Sequence, residues 1–342
     1  MSFNRLEADD FVVSADSITA GLFTNNQVPE ITTFFTSSTQ RLSTSGDYYL
    51  NIFSNETTSS LEFAVTYGNK KGSGSIAYDT AVDGKSPSST VYGQYRTLVL
   101  GDENADFTFG SITSSDFWAI SAERSRYKES IFPGSTTLLI SGSDGVISLT
   151  DNSQVASSVV FNDAGRVFQL VSGSAGNVFT DLESNGYSIN SGSYGLFLPD
   201  IATYILNPRA LSNDEADGGI GLDATTTSAL SITSNPNPEI IFKAISSSDA
   251  ASFTANSEET ITSDFVFVRP RSSQFNYSEN PSFISGSTGE VLYPSFINAP
   301  TTYITTVGLY NDTNELLAVA KLSRPLEKDF TKEALVRVKL DF

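Results

Sequence analysis

Neither cysteine nor histidine occurs in the chain, and methionine and tryptophan occur once each. Without thiols there is no disulfide framework, and cysteine usage says nothing about the redox compartment. Structural zinc relies on the same two residue types, so no such site is expected. Ser-His-Asp and Cys-His nucleophilic chemistry need imidazole as the base, so both are excluded. Carboxylate, lysine and tyrosine chemistry remain. Positive charge is scarce too: 20 Lys and Arg stand against 39 Asp and Glu, a net charge of −19. A polyanion of this kind is repelled by nucleic acid and anionic lipid, so neither is an expected partner. The surplus serves either solubility at high copy number or a surface tuned to basic partners. No run reaches about 18 consecutive apolar residues, so no membrane insertion is expected. The stretch from Met1 to Asp16 carries acids and no long apolar core, which does not read as a signal peptide. The expectation is a protein made in the cytoplasm.

What is abundant points to strands. Of 342 residues, 39% are hydrophobic, enough to fill a sizeable core in one large domain or two packed ones. Phe occurs 24 times and Tyr 14 times, and aromatic rings suit a pleated, half-buried surface. Frequent Ser and Thr compete with the helical backbone for hydrogen bonds. The expected fold class is mainly β: antiparallel sheets, a β-sandwich or barrel-like middle module plus a C-terminal β-ribbon, and few short helices.

Along the chain, residues 1–60 read as an extended N-terminal arm. Its apolar patches, such as Tyr48-Tyr49-Leu50-Asn51-Ile52-Phe53, are suited to docking on a neighbouring surface. Residues 61–135 form the first part of a core β domain. Leu61, Phe63, Val65 and Tyr67 alternate onto one strand face. Tyr95–Leu100 and Phe117–Ile120 are compact apolar runs. The segment from Ser121 to Ile131 fits either a short helix or a strand. Residues 136–250 read as an inserted antiparallel β module, with short runs at 137–140, 146–149, 159–161, 167–171, 194–198 and 204–206 separated by Gly, Ser, Asn and Asp turns. Residues 207–221 are acidic and glycine-rich, which reads as an exposed loop. Residues 251–342 complete the core domain. There Tyr303, Thr305, Val307 and Leu309 share one strand face, Asn311-Asp312-Thr313-Asn314 turns the chain, and 316–322 returns. Ala334, Val336, Val338, Leu340 and Phe342 alternate inward, which implies a docked terminus.

No motif carries catalysis. Gly68-Asn69-Lys70-Lys71-Gly72-Ser73-Gly74-Ser75 fails the P-loop spacing and reads as a turn whose glycines permit positive φ. Carboxylates are plentiful, yet no local pattern singles out a pair spaced for glycoside hydrolysis, and Asp214-Glu215-Ala216-Asp217 reads as a solvated loop or loose cation site. The expectation is no enzyme, no cofactor and no metal. Basic residues, by contrast, cluster. Lys321, Arg324, Lys328, Lys332, Arg337 and Lys339 crowd the C-terminal end, and Arg124, Arg126 and Lys128 form a second group. In an acidic molecule such asymmetry marks either subunit contacts or pairing with Glu327, Asp329 and Glu333 of the same chain. The candidate interface residues are therefore Lys70, Lys71, Arg124, Arg126, Lys128, Lys321, Arg324, Arg337 and Lys339.

Three stretches resemble a family. The first covers residues 302–326, with Gly308-Leu309-Tyr310-Asn311-Asp312-Thr313-Asn314-Glu315-Leu316-Leu317-Ala318-Val319-Ala320 at its centre, and closes on Val336-Arg337-Val338-Lys339-Leu340-Asp341-Phe342. The second is Phe275-Asn276-Tyr277-Ser278-Glu279-Asn280-Pro281-Ser282-Phe283. The third is Ser125-Arg126-Tyr127-Lys128-Glu129, leading to Pro133-Gly134. Together they are similar to virion structural proteins of T-even-type and related marine myoviruses. The resemblance implies a component of a contractile phage tail, in a baseplate wedge or the neck. Its partners would be other virion proteins, in a homo- or hetero-oligomer of symmetric assembly, and its location the virion. No catalytic residues carry over. The rival expectation is a receptor- or glycan-binding tail-tip module, suited by the Ser-, Thr-, Asn- and Tyr-rich loops.

Overall fold

The computed structural model describes residues 6, 8–20, 27–31, 35–36, 49–53, 61–74, 86–110, 112–179, 194–214, 218–222, 237–246, 253–278 and 280–341. Strands β1 (Phe11–Ala20), β2 (Gln27–Ile31), β3 (Phe35–Thr36), β4 (Tyr49–Phe53) and β5 (Leu61–Asn69) precede helix α1 (Pro87–Leu100). Next come β6 (Phe107–Phe109), β7 (Ile112–Ser114), β8 (Asp116–Ala122), β9 (Ser130–Ile131), β10 (Thr137–Ser141) and β11 (Val146–Asp151). They are followed by β12 (Val160–Asn162), β13 (Gly165–Ser174), β14 (Asn177–Val178), β15 (Gly195–Leu198) and β16 (Thr203–Leu206). Helices α2 (Pro208–Ser212) and α3 (Asn237–Ser246) lead to the long β17 (Phe253–Val268). Helix α4 (Pro294–Asn298), β18 (Thr302–Tyr310), β19 (Leu316–Lys328) and β20 (Val336–Asp341) finish the chain. With 48% strand and 16% helix among the described residues, the protein is mainly β with antiparallel pairing, as its aromatic and β-branched composition implies.

The chain divides into two compact units: a terminal unit of Met1–Ile18 with Thr260–Phe342, and a central unit of Thr19–Glu259. This differs from the boundaries suggested by composition. Residues 61–135 and 136–250 are not separate modules, because β8 pairs with β5 on one side and with β16 on the other. Nor do residues 1–60 form one arm. Leu50 and Ile52 of β4 are buried in the central core, while the described side chains of β1 are all exposed. The local pattern of β4 is strand-like, but only the distant partner decides which unit receives it.

In the central unit the strand order is β17-β10-β11-β13-β15-β16-β8-β5-β4-β3. The sheet curls so far that Phe63 of β5 and Phe253 of β17, remote in that order, meet edge to face at 5.4 Å. Among the described residues it stays short of a closed barrel. Ile241, Ala244 and Ile245 of α3 are buried in the same cluster as Phe63, Trp118, Leu138 and Phe253, so the helix helps fill the rolled interior. Alternation along β8 explains why both faces are covered. Trp118 and Ile120 enter that core, whereas Phe117 and Ala119 enter a second one under α1 with Val91, Tyr92, Phe107 and Phe109. The close approach at Gly68 follows from this packing: a Cβ there would lie 2.7 Å from the Phe117 ring.

The compact apolar run Tyr95–Leu100, given no element from the sequence, is the last part of α1. Two local expectations change. The segment 121–131 is neither one helix nor one strand; β8 ends at Ala122, a 3-10 turn spans Arg124–Arg126, and β9 follows. Within 207–221, Asn207, Pro208, Ala210, Leu211 and Ile220 are buried, so the described part is core rather than exposed loop. Phe342 lies outside the described residues.

In the terminal unit β20 pairs with the later half of β17, from Val268↔Val336 to Ser263↔Asp341. Against that pairing packs the two-stranded β18–β19 ribbon. Val266, Val268, Val336 and Val338 are buried, with Val307, Leu309, Ala320, Leu322 and Leu326 half-buried on them. The inward alternation of Ala334, Val336 and Val338 holds. That of β18 does not run from its start. A register shift between Ile304 and Thr306 turns Tyr303 and Thr305 outward while Val307 and Leu309 face in.

Candidate functional site

Most of the basic candidates are engaged within their own chain. Lys70 Nζ sits 2.6 Å from Asp106 Oδ1, and Lys71 is exposed on the same turn. Arg124 lies over the Tyr127 ring at 4.7 Å, Arg126 pairs with Glu62, and Lys128 Nζ lies 2.8 Å from Glu259. Arg337 covers the Phe265 ring at 5.4 Å, and Lys339 Nζ is 2.8 Å from Asp341. Lys321 and Arg324 remain as exposed cations on β19. The structure therefore gathers Lys321, Arg324, Arg337 and Lys339 in the terminal unit and ties the 124–128 cluster into the central one.

The feature that sequence reasoning missed is apolar. Among the described residues, 16 exposed large hydrophobic side chains belong to the terminal unit and 7 to the central unit, which is more than twice as long. Buried apolar residues run the other way, 5 against 40. The outward face of the ribbon concentrates this surface. Its cross-strand pairs are Tyr303↔Glu327, Thr306↔Lys321, Gly308↔Val319 and Tyr310↔Leu316. Tyr303 is 63% exposed, Leu317 67% and Val319 53%. The signal was present in the sequence: Leu316, Leu317 and Val319 flank half-buried Ala318 and Ala320, so the larger side chains are on the outside.

Polar clamps hold this unit's loops to its small core. Lys328 is fully buried, and its ammonium donates to Ser272 O at 3.0 Å, Asn276 Oδ1 at 2.7 Å and Asp329 O at 2.9 Å. Burial lowers its pKa, opposed by the charges of Asp329 and Glu333. Asp10 Oδ1 accepts from Arg269 Nε at 2.9 Å and Nη2 at 2.7 Å, and Oδ2 pairs with Arg271. Burial pushes the Asp10 carboxyl up, but the two guanidinium groups outweigh it and hold it below the ordinary carboxylate value.

The central unit's polar clusters are also structural ties. Arg166 bridges Asp200 at 2.6 Å and Glu258 at 2.8 Å, and Ser130 Oγ donates to Glu258 at 2.9 Å. The net effect of Arg166 on Asp200, against the upward push of burial, is to hold that carboxyl down, the opposite of what a general acid needs. Gly165, at φ +93, lets the turn before Arg166 pass Asp200, where a Cβ would stand 2.2 Å from Oδ2. Tyr67 of β5 donates to Asp116 of β8 at 3.0 Å, and burial raises the pKa of both groups. Buried Asp151 accepts from Gly134 N at 2.9 Å and Ser153 N at 3.1 Å, closing the Pro133-Gly134 turn. Among the described residues no cluster of three or more Asp or Glu is placed to hold a metal ion. A shallow pocket of about 290 Å³ is lined by Val146, Ser148, Ser172, Phe179 and Gly218 to Ile220. Among the described residues no helix is long and apolar enough to cross a membrane.

No protein-family model, curated protein or solved structure matches the chain.

Proposed function

We propose that this chain is a structural component of a contractile phage tail, in a baseplate wedge or the neck, and works through β-rich protein–protein interfaces rather than catalysis. The carrying observation is the terminal unit, which among the described residues exposes 16 large apolar side chains while burying 5 apolar residues. A surface so rich in exposed apolar groups marks an interaction site, and obligate interfaces are the more hydrophobic class. The resemblance of residues 302–326 and 336–342 to myovirus structural proteins falls in this unit. The partners on this reading are other tail subunits and the location is the virion.

Mass spectrometry and negative-stain imaging of particles from the source, with and without the gene, test the proposal. The expected result is the protein in purified tails and defective assembly without it. Infectious tails of normal appearance without the gene product would overturn it.

A second reading, a glycan-binding tail-tip module, is favoured by one observation. Phe179 is 46% exposed beside the pocket, whose lining includes two serines and several glycines. Hits on a glycan array that disappear with Phe179→Ala would support it.

A further inference from the structure

The outward face of the β18–β19 ribbon fits a particular kind of partner. Its apolar groups are Tyr303, Tyr310, Leu316, Leu317 and Val319, all exposed. Its charges balance: residues 302–328 contain Lys321, Arg324 and Lys328 against Asp312, Glu315 and Glu327. Lys328 is buried, but Lys321 and Arg324 are exposed, as are Asp312, Glu315 and Glu327. The exposed part therefore carries two positive and three negative charges, a near balance interleaved with apolar groups. The central unit is quite different, with 11 Lys and Arg and 26 Asp and Glu, net −15.

We infer that this ribbon face docks a second copy of the same chain. Two copies approaching by their central units repel each other, because both carry a large charge of one sign. At the ribbon, with an excess of one negative charge, the repulsion is small. A two-fold contact places the same patch on both sides, so Lys321 of one copy can face Glu315 or Glu327 of the other while the apolar groups meet. A strongly basic partner would be drawn to the anionic central unit instead, and a strongly acidic one finds no net positive charge on the ribbon. The inference rests on the assembly reading only in treating the ribbon as a contact surface.

Sedimentation velocity and light scattering of the full-length protein, over a wide concentration range, test it. The wild type is expected to self-associate. Val319→Lys and Leu317→Lys place like charges against each other and are expected to weaken association about tenfold or more, with unchanged circular dichroism. Val146→Lys adds the same charge at an exposed valine of the central unit and is expected to have no effect. Leu317→Ser and Val319→Thr, which are gentler, should weaken association in the same order if either lysine variant fails to fold. A wild type that is monomeric throughout, or that associates only after another tail protein is added, overturns the inference. So does an association that Val146→Lys disrupts as much as Val319→Lys. A monomeric chain found in intact tails would leave the virion assignment standing and remove only this inference.

Discussion

Lys328 is the residue on which the terminal unit's long loop depends most. A buried ammonium is tolerable here because three oxygens, Ser272 O, Asn276 Oδ1 and Asp329 O, accept its hydrogens, with the charges of Asp329 and Glu333 in support. Lys328→Met keeps the length and removes the donors, leaving those acceptors unpaired; the expected loss is about 2–4 kcal/mol in denaturant unfolding. Arginine is not a conservative replacement, since its planar fork does not match a compact three-acceptor cage. Asp10 gives a pH dependence. Its folded pKa lies below the unfolded value of 3.8, so its stabilisation is complete well above that value and is lost as pH falls through the folded pKa. Asp10→Asn should therefore flatten the acid limb of the stability curve, read by unfolding midpoints below pH 5 or so. Neither role was legible beforehand. In the sequence Lys328 is one of six cations near the end, and its burial is set by residues 272–276, which local patterning does not connect to it. Lys321 and Arg324, by contrast, were legible as exposed candidates.

At the scale of elements, short apolar runs between turn residues were a reliable guide, whereas alternation failed at the start of β18. The runs at 137–140, 146–149, 167–171 and 204–206 all lie inside strands, because short apolar segments bounded by Gly, Asn and Asp leave few alternatives. Helix α1 was missed. Its Val, Tyr, Thr and Leu content favours a strand locally, and packing reverses that preference: Tyr92 is buried between Phe107 and Phe117, with its hydroxyl donating to Ser114 O at 3.1 Å. Pro87 at the first turn and Gly101 at the C-cap, φ +65, were the available signals. Tyr92→Phe should cost about 1 kcal/mol and Tyr92→Ala about 3–5 kcal/mol, measured by equilibrium unfolding. At Gly195, in β15 at φ +152, an added Cβ would come within 2.0 Å of Ile205 O, which is backbone and cannot yield cheaply. Gly195→Ala should therefore destabilise the central sheet by about 1–3 kcal/mol or more.

The whole molecule has one well-filled unit and one thinly filled unit. A small core is marginal on its own, so the terminal unit should melt first. Calorimetry is expected to resolve two transitions, with Val338→Ala lowering only the first and Trp118→Ala only the second. Coincident transitions shifted by either variant would contradict this. Self-association through the ribbon should raise the lower transition as concentration rises. The two-unit division was hidden from sequence reading because residues 8–18 find their partners beyond position 260, and no local signal spans that gap. That separation has a consequence in time. Asp10 and its partner Arg269 are 259 positions apart, so at ordinary elongation rates the ribosome delivers the arginine on the order of 10–50 s after the aspartate. Throughout that wait the backbone of Phe11, Val12 and Val13, whose side chains stay exposed even in the fold, lacks its later strand partner β17. A cell that makes this protein in quantity must shield the nascent stretch, and chaperone depletion should strike its yield harder than that of a chain whose early strands pair locally.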